Sequence, residues 1–365
     1  MTWLKNDSAG FTLIEILVAL AISGIVLTGI FFVFETSNKS YILQEDIARM
    51  QQNVRTAKYF LEKDLRMTGY GVRGLAFNGA IIDPIRFVNN DFLADANIID
   101  NTDTITLTYI KDDANSCGTG GTKSPCTDLR PLLLEEGMPV NSAEAKIQQD
   151  LNDPLYSMWY DGCSCGGTTY DYPGYGFQVI ITSPDGSMSE LVWLTQVQPG
   201  GGGTKSKIQN RKYNGQENKV FNSFPKGSTI KFFDSTSLKS IRYYIDTDYF
   251  LRREVGGTGN KIAENIEDMQ FAFCGDFNGD GVVDTEAADD WFDEENLVAG
   301  EMTKQDKAKI RFVRVTILGR TQREHQGISS FRPGIEDHAA SGQKDFYSRR
   351  LLSFTVKIRN LGLDD

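Results

Sequence analysis

Residues 10–34, GFTLIEILVALAISGIVLTGIFFVF, constrain the fold of this chain more than any other stretch. A glycine closes a short polar leader. An apolar run follows, broken near its start by one acid, Glu15. Roughly 20 apolar residues cross a bilayer as a helix, so Phe11–Phe34 is long enough to do so. An ordinary signal peptide has an apolar core of roughly 7–15 residues and a small-residue cleavage site after it. This run is longer, and no such site closes it. A plain single-pass anchor fits the length but gives no reason for Glu15. A carboxylate in hydrocarbon costs on the order of 3 kcal/mol even on insertion scales. In the bilayer this one has no evident partner, so a partner is expected elsewhere.

The helical signal continues past the apolar run. Leu43, Ile47, Met50, Val54, Ala57, Leu61 and Leu65 recur at spacings of four and three, which is one stripe of an amphipathic helix. No Pro or Gly interrupts residues 30–68, and Gly69 and Gly71 end the pattern. The pattern predicts one helix from Phe11 to about Arg66, roughly 80 Å long at 1.5 Å per residue. Its first half is apolar all round, and its second half has one face to pack on a soluble head. A coiled coil would need the stripe to last longer than its roughly three heptads.

Beyond residue 67 the sequence reads as strands and loops. Candidates are Thr104–Ile110, Phe177–Thr182, Ser189–Val197, Thr229–Phe233, Leu238–Ile245, Tyr249–Glu254, Met269–Phe273, Ile310–Leu318 and Leu351–Arg359. Short runs rich in Ile, Val, Tyr, Phe and Thr between turn residues predict a mainly antiparallel sheet. One helix followed by strands is an α+β chain. The expected division is a leader at 1–10, a membrane and assembly helix at 11–66, and a β-rich head at 67–365. Asp112–Gly176 and Gln198–Asn218 read as long loop insertions, the second as a mobile one.

The chain has 365 residues and a net charge of −11. A nucleic-acid groove needs clustered Lys and Arg, so no nucleic-acid partner is expected. Five cysteines fit an oxidising compartment but leave one unpaired. Cys117 and Cys126 bracket a short Gly-rich loop and are the disulfide candidates. Cys163 and Cys165 form a C-x-C, which lacks the C-x₂₋₄-C spacing of a zinc site. GGTKS occurs at Gly120–Ser124 and Gly202–Ser206, but neither copy has the Gly before Lys and the strand-to-helix setting of a phosphate loop. His325 and His338 lie in no H-E-x-x-H, and there is no G-x-S-x-G, so no enzyme activity is expected. Tyr156, Trp159, Tyr160, Tyr170, Tyr172, Tyr175 and Phe177 crowd one stretch. Such aromatics bind a sugar or partner, or more often pin a loop onto a sheet.

The sharpest ligand signal is Asp276-Phe277-Asn278-Gly279-Asp280-Gly281-Val282-Val283-Asp284. Oxygen ligands fall at positions 1, 3, 5 and 9, Val282 offers its carbonyl at 7, and glycine stands at 6, as in the first part of an EF-hand loop. Position 12 is Ala287, so the usual bidentate acid is missing, with Glu286, Asp289 and Asp290 as substitutes. A structural Ca²⁺ is expected here. The alternative is an acidic turn that uses Asn-Gly and Asp-Gly for backbone freedom.

The leader, Gly10-Phe11 and Glu15 together resemble the class III signal of the type IV pilin superfamily. The resemblance extends to Leu65-Arg66-Met67-Thr68-Gly69-Tyr70-Gly71, to Ile266-Glu267-Asp268-Met269-Gln270-Phe271, and to Phe312–Leu318 and Arg349–Asn360, which together look like PilW-like minor pilins. It implies a prepilin peptidase that cuts between Gly10 and Phe11 and methylates the new N-terminus. Glu15 then stands fifth in the mature chain as the assembly acid. It also implies an inner-membrane anchor at Phe11–Phe34 with the head in the periplasm, and later a place in a pilus at the cell surface. The partners implied are other minor and major pilins and the inner-membrane assembly machinery. The resemblance leaves a pseudopilin of a type II secretion system and a pilus-tip adhesin as alternatives. Unlike many major pilins, the helix carries no Pro, and Gly24 and Gly29 are its weak points. Residues 72–260 carry no motif of the family.

Overall fold

In the computed structural model the pattern over residues 11–66 folds as one unbroken α-helix, α1 (Leu13–Met67), of 55 residues. The structure describes residues 11–361 except 73, 78–79, 90–96, 111–129, 154, 157–158, 160–162, 166–167, 171–177, 202–204, 213–214, 216, 234–237, 293–301 and 303. The leader and both disulfide candidates, Cys117 and Cys126, therefore lie outside the described residues, as does the first GGTKS.

Helix α1 has two halves of different character. Residues 11–41 are exposed throughout, although most of their side chains are large and apolar. From there on, Met50, Val54, Ala57, Leu61 and Leu65 are buried on one face. Of these, Val54, Ala57, Leu61 and Leu65 enter the principal core with two sheets. One sheet is antiparallel and five-stranded, in the spatial order Thr258–Ala263, Leu251–Val255, Leu238–Ile245, Thr104–Ile110, Ile85–Val88. The other is antiparallel and three-stranded, with Ile310–Arg320 between Ile266–Gly275 and Arg349–Lys357. The stripe of α1, Ile105 and Leu107, Tyr243, and Met269, Phe271, Val313, Val315 and Ile317 form one continuous apolar cluster.

Gly319 sets how closely the helix approaches the long central strand. A Cβ built there would stand 2.4 Å from Val54 Cγ2 and 3.4 Å from Met50 Cγ. Carbon atoms are at rest at roughly 3.5–4.0 Å, so any side chain at 319 pushes the helix off the sheet.

A second core lies in the segment between Thr104–Ile110 and Leu238–Ile245. Leu132, Leu134, Trp159, Val179, Ile181, Val192, Phe224 and Ile230 are among its members. It is built on a six-stranded sheet in which Leu75–Phe77 runs parallel to Ser189–Trp193 and the other pairs are antiparallel. A small sheet of Gln196–Gln198, Lys207–Gln209 and Glu144–Lys146 covers it.

Three expectations change here. Ser189–Val197 is not one strand but two, which serve different sheets. The side chain of Asn218 takes the place of a neighbouring strand at Trp193. Its Oδ1 accepts the Trp193 N–H at 2.9 Å, and its Nδ2 donates to the Trp193 carbonyl at 2.6 Å. The described parts of 112–176 and 198–218 are also not mere loops. Leu132–Leu133, Glu144–Lys146 and Lys207–Gln209 are strands, too short for an alternating pattern to register. Finally, Leu75–Phe77, Ile85–Val88 and the polar edge strand Thr258–Ala263 are strands that hydrophobic patterning does not mark.

Gly319→Ala is expected to destabilise the chain by about 1–3 kcal/mol through overpacking. Adding Val54→Ala is expected to cost less than the sum of the two single changes, because it vacates the space the new methyl needs. Equilibrium denaturation of the four variants in detergent checks this; strict additivity would show that the two residues do not touch.

Candidate functional site

The N-terminus of α1 is closed by a capping box. Thr12 is the N-cap with φ −79° and ψ 151°, and its Oγ1 lies 3.4 Å from the Glu15 N–H. Glu15 replies with Oε2, which accepts the Thr12 N–H at 2.9 Å and the Thr12 hydroxyl at 2.8 Å. Two N–H groups that a helix start leaves open are satisfied reciprocally, and an anion stands at the positive end of the helix dipole. Glu15 therefore does not lack partners, as reasoning from burial in hydrocarbon expects; one turn of its own helix supplies them. What it lacks is a cation.

Residues 13–34 extend from this cap as a cylinder of exposed Leu, Ile, Val and Phe that no other part of the described residues covers. Of its two hydroxyl residues, Ser23 and Thr28, Thr28 donates back to the Gly24 carbonyl at 2.8 Å, which satisfies that hydroxyl within the helix. The helix is long and apolar enough to cross a membrane.

At the other end a buried polar cluster fixes α1 to the head. Asp64 falls on the stripe face, three residues after Leu61. Its carboxylate accepts Arg253 Nε at 2.7 Å and the Tyr243 hydroxyl at 2.5 Å. Burial, reinforced by the Asp64 charge, pushes the Tyr243 phenol well above its usual pKa, so it stays a neutral donor. One turn past the helix, the Thr68 hydroxyl donates to the Asp64 carbonyl and the Gly69 N–H to the Thr108 carbonyl, both at 3.0 Å. Asn360 Nδ2 reaches the carbonyls of Arg66 and Thr68 at 3.3 Å. The junction motif and the C-terminal motif are therefore two sides of one joint. Asp46 repeats the device higher up, with His325 Nε2 at 3.1 Å. Asp46 and Asp64 were not foreseen as functional, although an acid within an apolar stripe is a readable signal.

The C-terminal sequence blocks meet in the three-stranded sheet. Glu267 takes Arg349 bidentately, Nε to Oε2 at 2.6 Å and Nη2 to Oε1 at 2.9 Å. Fully buried Asp268 pairs with Arg332 and with His338, whose Nδ1 is 2.6 Å away. Arg314 pairs with Glu336, which also accepts the Thr316 hydroxyl. Both histidines thus stand against buried carboxylates, His325 tying its loop to α1 and His338 tying its loop to the sheet.

The acidic run Asp276–Asp284 leaves the end of the Ile266–Gly275 strand as an exposed loop. Its side chains serve local N–H groups. Asn278 Oδ1 accepts from Asp280 at 3.0 Å, Asp280 Oδ1 from Val282 at 2.7 Å, Asp276 Oδ2 from Gly281 at 3.2 Å, and Asp284 Oδ1 from Glu286 at 2.8 Å. Gly281 has φ +83°, the left-handed conformation position 6 requires. Among the described residues no three acidic, His or Cys side chains converge as a ready metal cage. Cys274, beside the loop, is a buried free thiol. Burial first, then the Asp290 and Asp284 charges, push its pKa up to about 11, so it is unreactive.

Of the aromatic stretch, Trp159 is buried in the second core with Nε1 donating to the Arg130 carbonyl at 2.9 Å, and Tyr156 packs against the same core. These two pin the segment. Tyr160, Tyr172, Tyr175 and Phe177 lie outside the described residues, as do the side chains of Cys163, Cys165 and Tyr170.

Residues 5–31 match the prokaryotic N-terminal methylation motif. Residues 240–360 match the type IV pilus-assembly protein W family, a region that runs from the central strand of the five-stranded sheet to the Asn360 joint. No curated protein and no solved structure gives a significant match.

Asp64→Asn is expected to cost about 1–3 kcal/mol, since it leaves the partly exposed Arg253 without its anion while keeping an acceptor for Tyr243. Replacing Arg253 by Met in the same chain is expected to recover part of that loss. Thermal unfolding of the detergent-solubilised chain measures both; an unchanged Asp64→Asn melting temperature would show that the cluster does not hold the helix.

Proposed function

We propose that this chain, which bears both an N-terminal methylation motif and a pilus-assembly protein W region, is a minor pilin that passes from a bilayer into a filament as one of the subunits that prime or cap a type IV pilus. The observation that carries this reading is the continuity of α1. The exposed apolar half and the half bound into the head are one rigid rod, so a neighbour that grips the first positions the second.

Before assembly, Phe11–Phe34 holds the chain in the inner membrane with the head in the periplasm. Prepilin peptidase cuts between Gly10 and Phe11, where glycine presents no side chain, and methylates the Phe11 amine. That amine then stands one residue before the Thr12 N–H that Glu15 already holds. A cationic amine, the chain's own or a neighbouring pilin's, supplies the charge that the capping box does not. The pair forms where water is absent and Coulomb attraction is strong. The head surface makes the contacts with other minor and major pilins and with the assembly machinery of the inner membrane. Its role is structural rather than catalytic.

Intact-mass and N-terminal analysis of the protein from its natural host is expected to give a chain starting at N-methylated Phe11. Glu15→Ala is expected to be processed normally but to be lost from sheared pili, and deletion of the gene is expected to reduce piliation. Retention of residues 1–10 in cells with active peptidase overturns the processing step. Normal piliation after deletion overturns the priming role, and favours the secretion pseudopilin or, if adhesion is lost, the tip adhesin.

A further inference from the structure

Two carboxylate oxygens of the acidic loop are buried with no hydrogen-bond partner, Asp276 Oδ1 and Asp290 Oδ1. Asp290 is 2% exposed and belongs to the short turn Ala288–Asp290. Its other oxygen accepts the Asp284 N–H at 2.6 Å, which places the carboxylate against the ninth position of the run that starts at Asp276. Among the described residues no Lys, Arg or His forms an ion pair with Asp290. A buried carboxylate with one oxygen unsatisfied and no cation is costly, and chains normally pair it or coordinate a metal with it.

We propose that residues 276–290 form a Ca²⁺ site in which Asp290 supplies the acidic ligand that the run lacks at its twelfth position. Asp276, Asn278 and Asp280 offer side-chain oxygens, Val282 its carbonyl, and Asp284 an oxygen directly or through water, at the spacing an oxygen-rich, flexible site uses. An all-oxygen donor set selects a hard cation, and a flexible loop selects Ca²⁺ over the more exacting Mg²⁺. Of the three acids after the loop, Glu286 and Asp289 are exposed. Asp289 is also engaged with Asn278 Nδ2 at 3.2 Å. Asp290 alone is both buried and open at one oxygen. The ion draws Asn278 and Asp280 in from their local turns toward the two oxygens already waiting.

Both ends of the loop are fixed to one strand end. Trp291 bridges back to Cys274, the Phe292 N–H donates to the Phe273 carbonyl at 2.8 Å, and the rings of Phe277 and Phe292 meet edge to face. A cation there locks a closed loop at the tip of the sheet. This inference does not rest on the priming role, and the calcium measurements are independent of piliation.

The test uses the full chain in detergent, stripped with chelator, then titrated with Ca²⁺ or Mg²⁺ by calorimetry and followed by thermal melting. The wild type is expected to bind one Ca²⁺ at about 10⁻⁴–10⁻³ M, and its melting temperature is expected to rise with Ca²⁺ by mass action and much less with Mg²⁺. Asp290→Asn, which keeps an acceptor for the Asp284 N–H, is expected to weaken binding about tenfold or more. Glu286→Gln and Asp289→Asn are expected to stay within about twofold. Equal melting temperatures of Asp290→Asn and wild type in chelator establish that the variant folds. If it does not fold, Asp276→Asn is read in its place with the same expectation. Absence of heat and of any melting shift for the wild type at several millimolar Ca²⁺ overturns the site. Loss of binding on Glu286→Gln or Asp289→Asn, but not on Asp290→Asn, overturns the assignment of the ligand.

Discussion

The contact between the stripe of α1 and the central strand Ile310–Arg320 is the interaction on which the rest of the structure depends. Val54 sits over Gly319, where even a methyl group would collide. Ala57, Leu61 and Leu65 continue the seam into the same core as Met269, Phe271 and Val315. Remove that seam and the two sheets lose the wall that closes their shared core. Nothing then keeps the apolar half of the helix in a set direction from the head.

Polar groups make this joint specific rather than merely sticky. Apolar stripes on a helix can slide by a turn at modest cost, but Asp64 has one place in which both Tyr243 and Arg253 reach it. Asp46 with His325, and Asn360 with the last helical carbonyls, add two further points along some five turns of helix. The C-terminal ion pairs Glu267–Arg349, Asp268–Arg332 and Arg314–Glu336 hold the sheet that receives the helix. Register of the helix on the head, and so of the membrane segment relative to the head, is fixed by these buried charges. A subunit that must present its head at one place in a filament needs such a fixed register.

The helix was legible to within about two residues because its signal is long and periodic. The long strands of the core, such as Thr229–Phe233 and Leu238–Ile245, were legible for their runs of β-branched and aromatic residues. The Gly256-Gly257 pair between Leu251–Val255 and Thr258–Ala263 is a two-residue hairpin turn. Such a pair is a turn signal for the polar edge strand that hydrophobicity does not mark. The short strands of the second core, such as Glu144–Lys146 and Lys207–Gln209, were not legible, because they contribute one or two buried residues each and long-range pairing alone defines them. Glu15 stands out as an acid in an apolar run, and the Thr12-x-x-Glu15 spacing is itself the signature of its capping box. Asp290 lies six residues beyond the motif that points to it, and its burial and its open oxygen, neither readable from sequence, distinguish it from Asp289.

If the second half of α1 belongs to the head's core, it must open only when that core opens. Native-state hydrogen exchange of the full chain in detergent measures this residue by residue. The amides of Val54–Leu65 are expected to exchange with the same free energy of opening as those of Val313–Leu318, the slowest in the sheet. If the helix amides exchange orders of magnitude faster while the sheet stays protected, the helix is an attached rod rather than part of the core, and the fixed register fails with it.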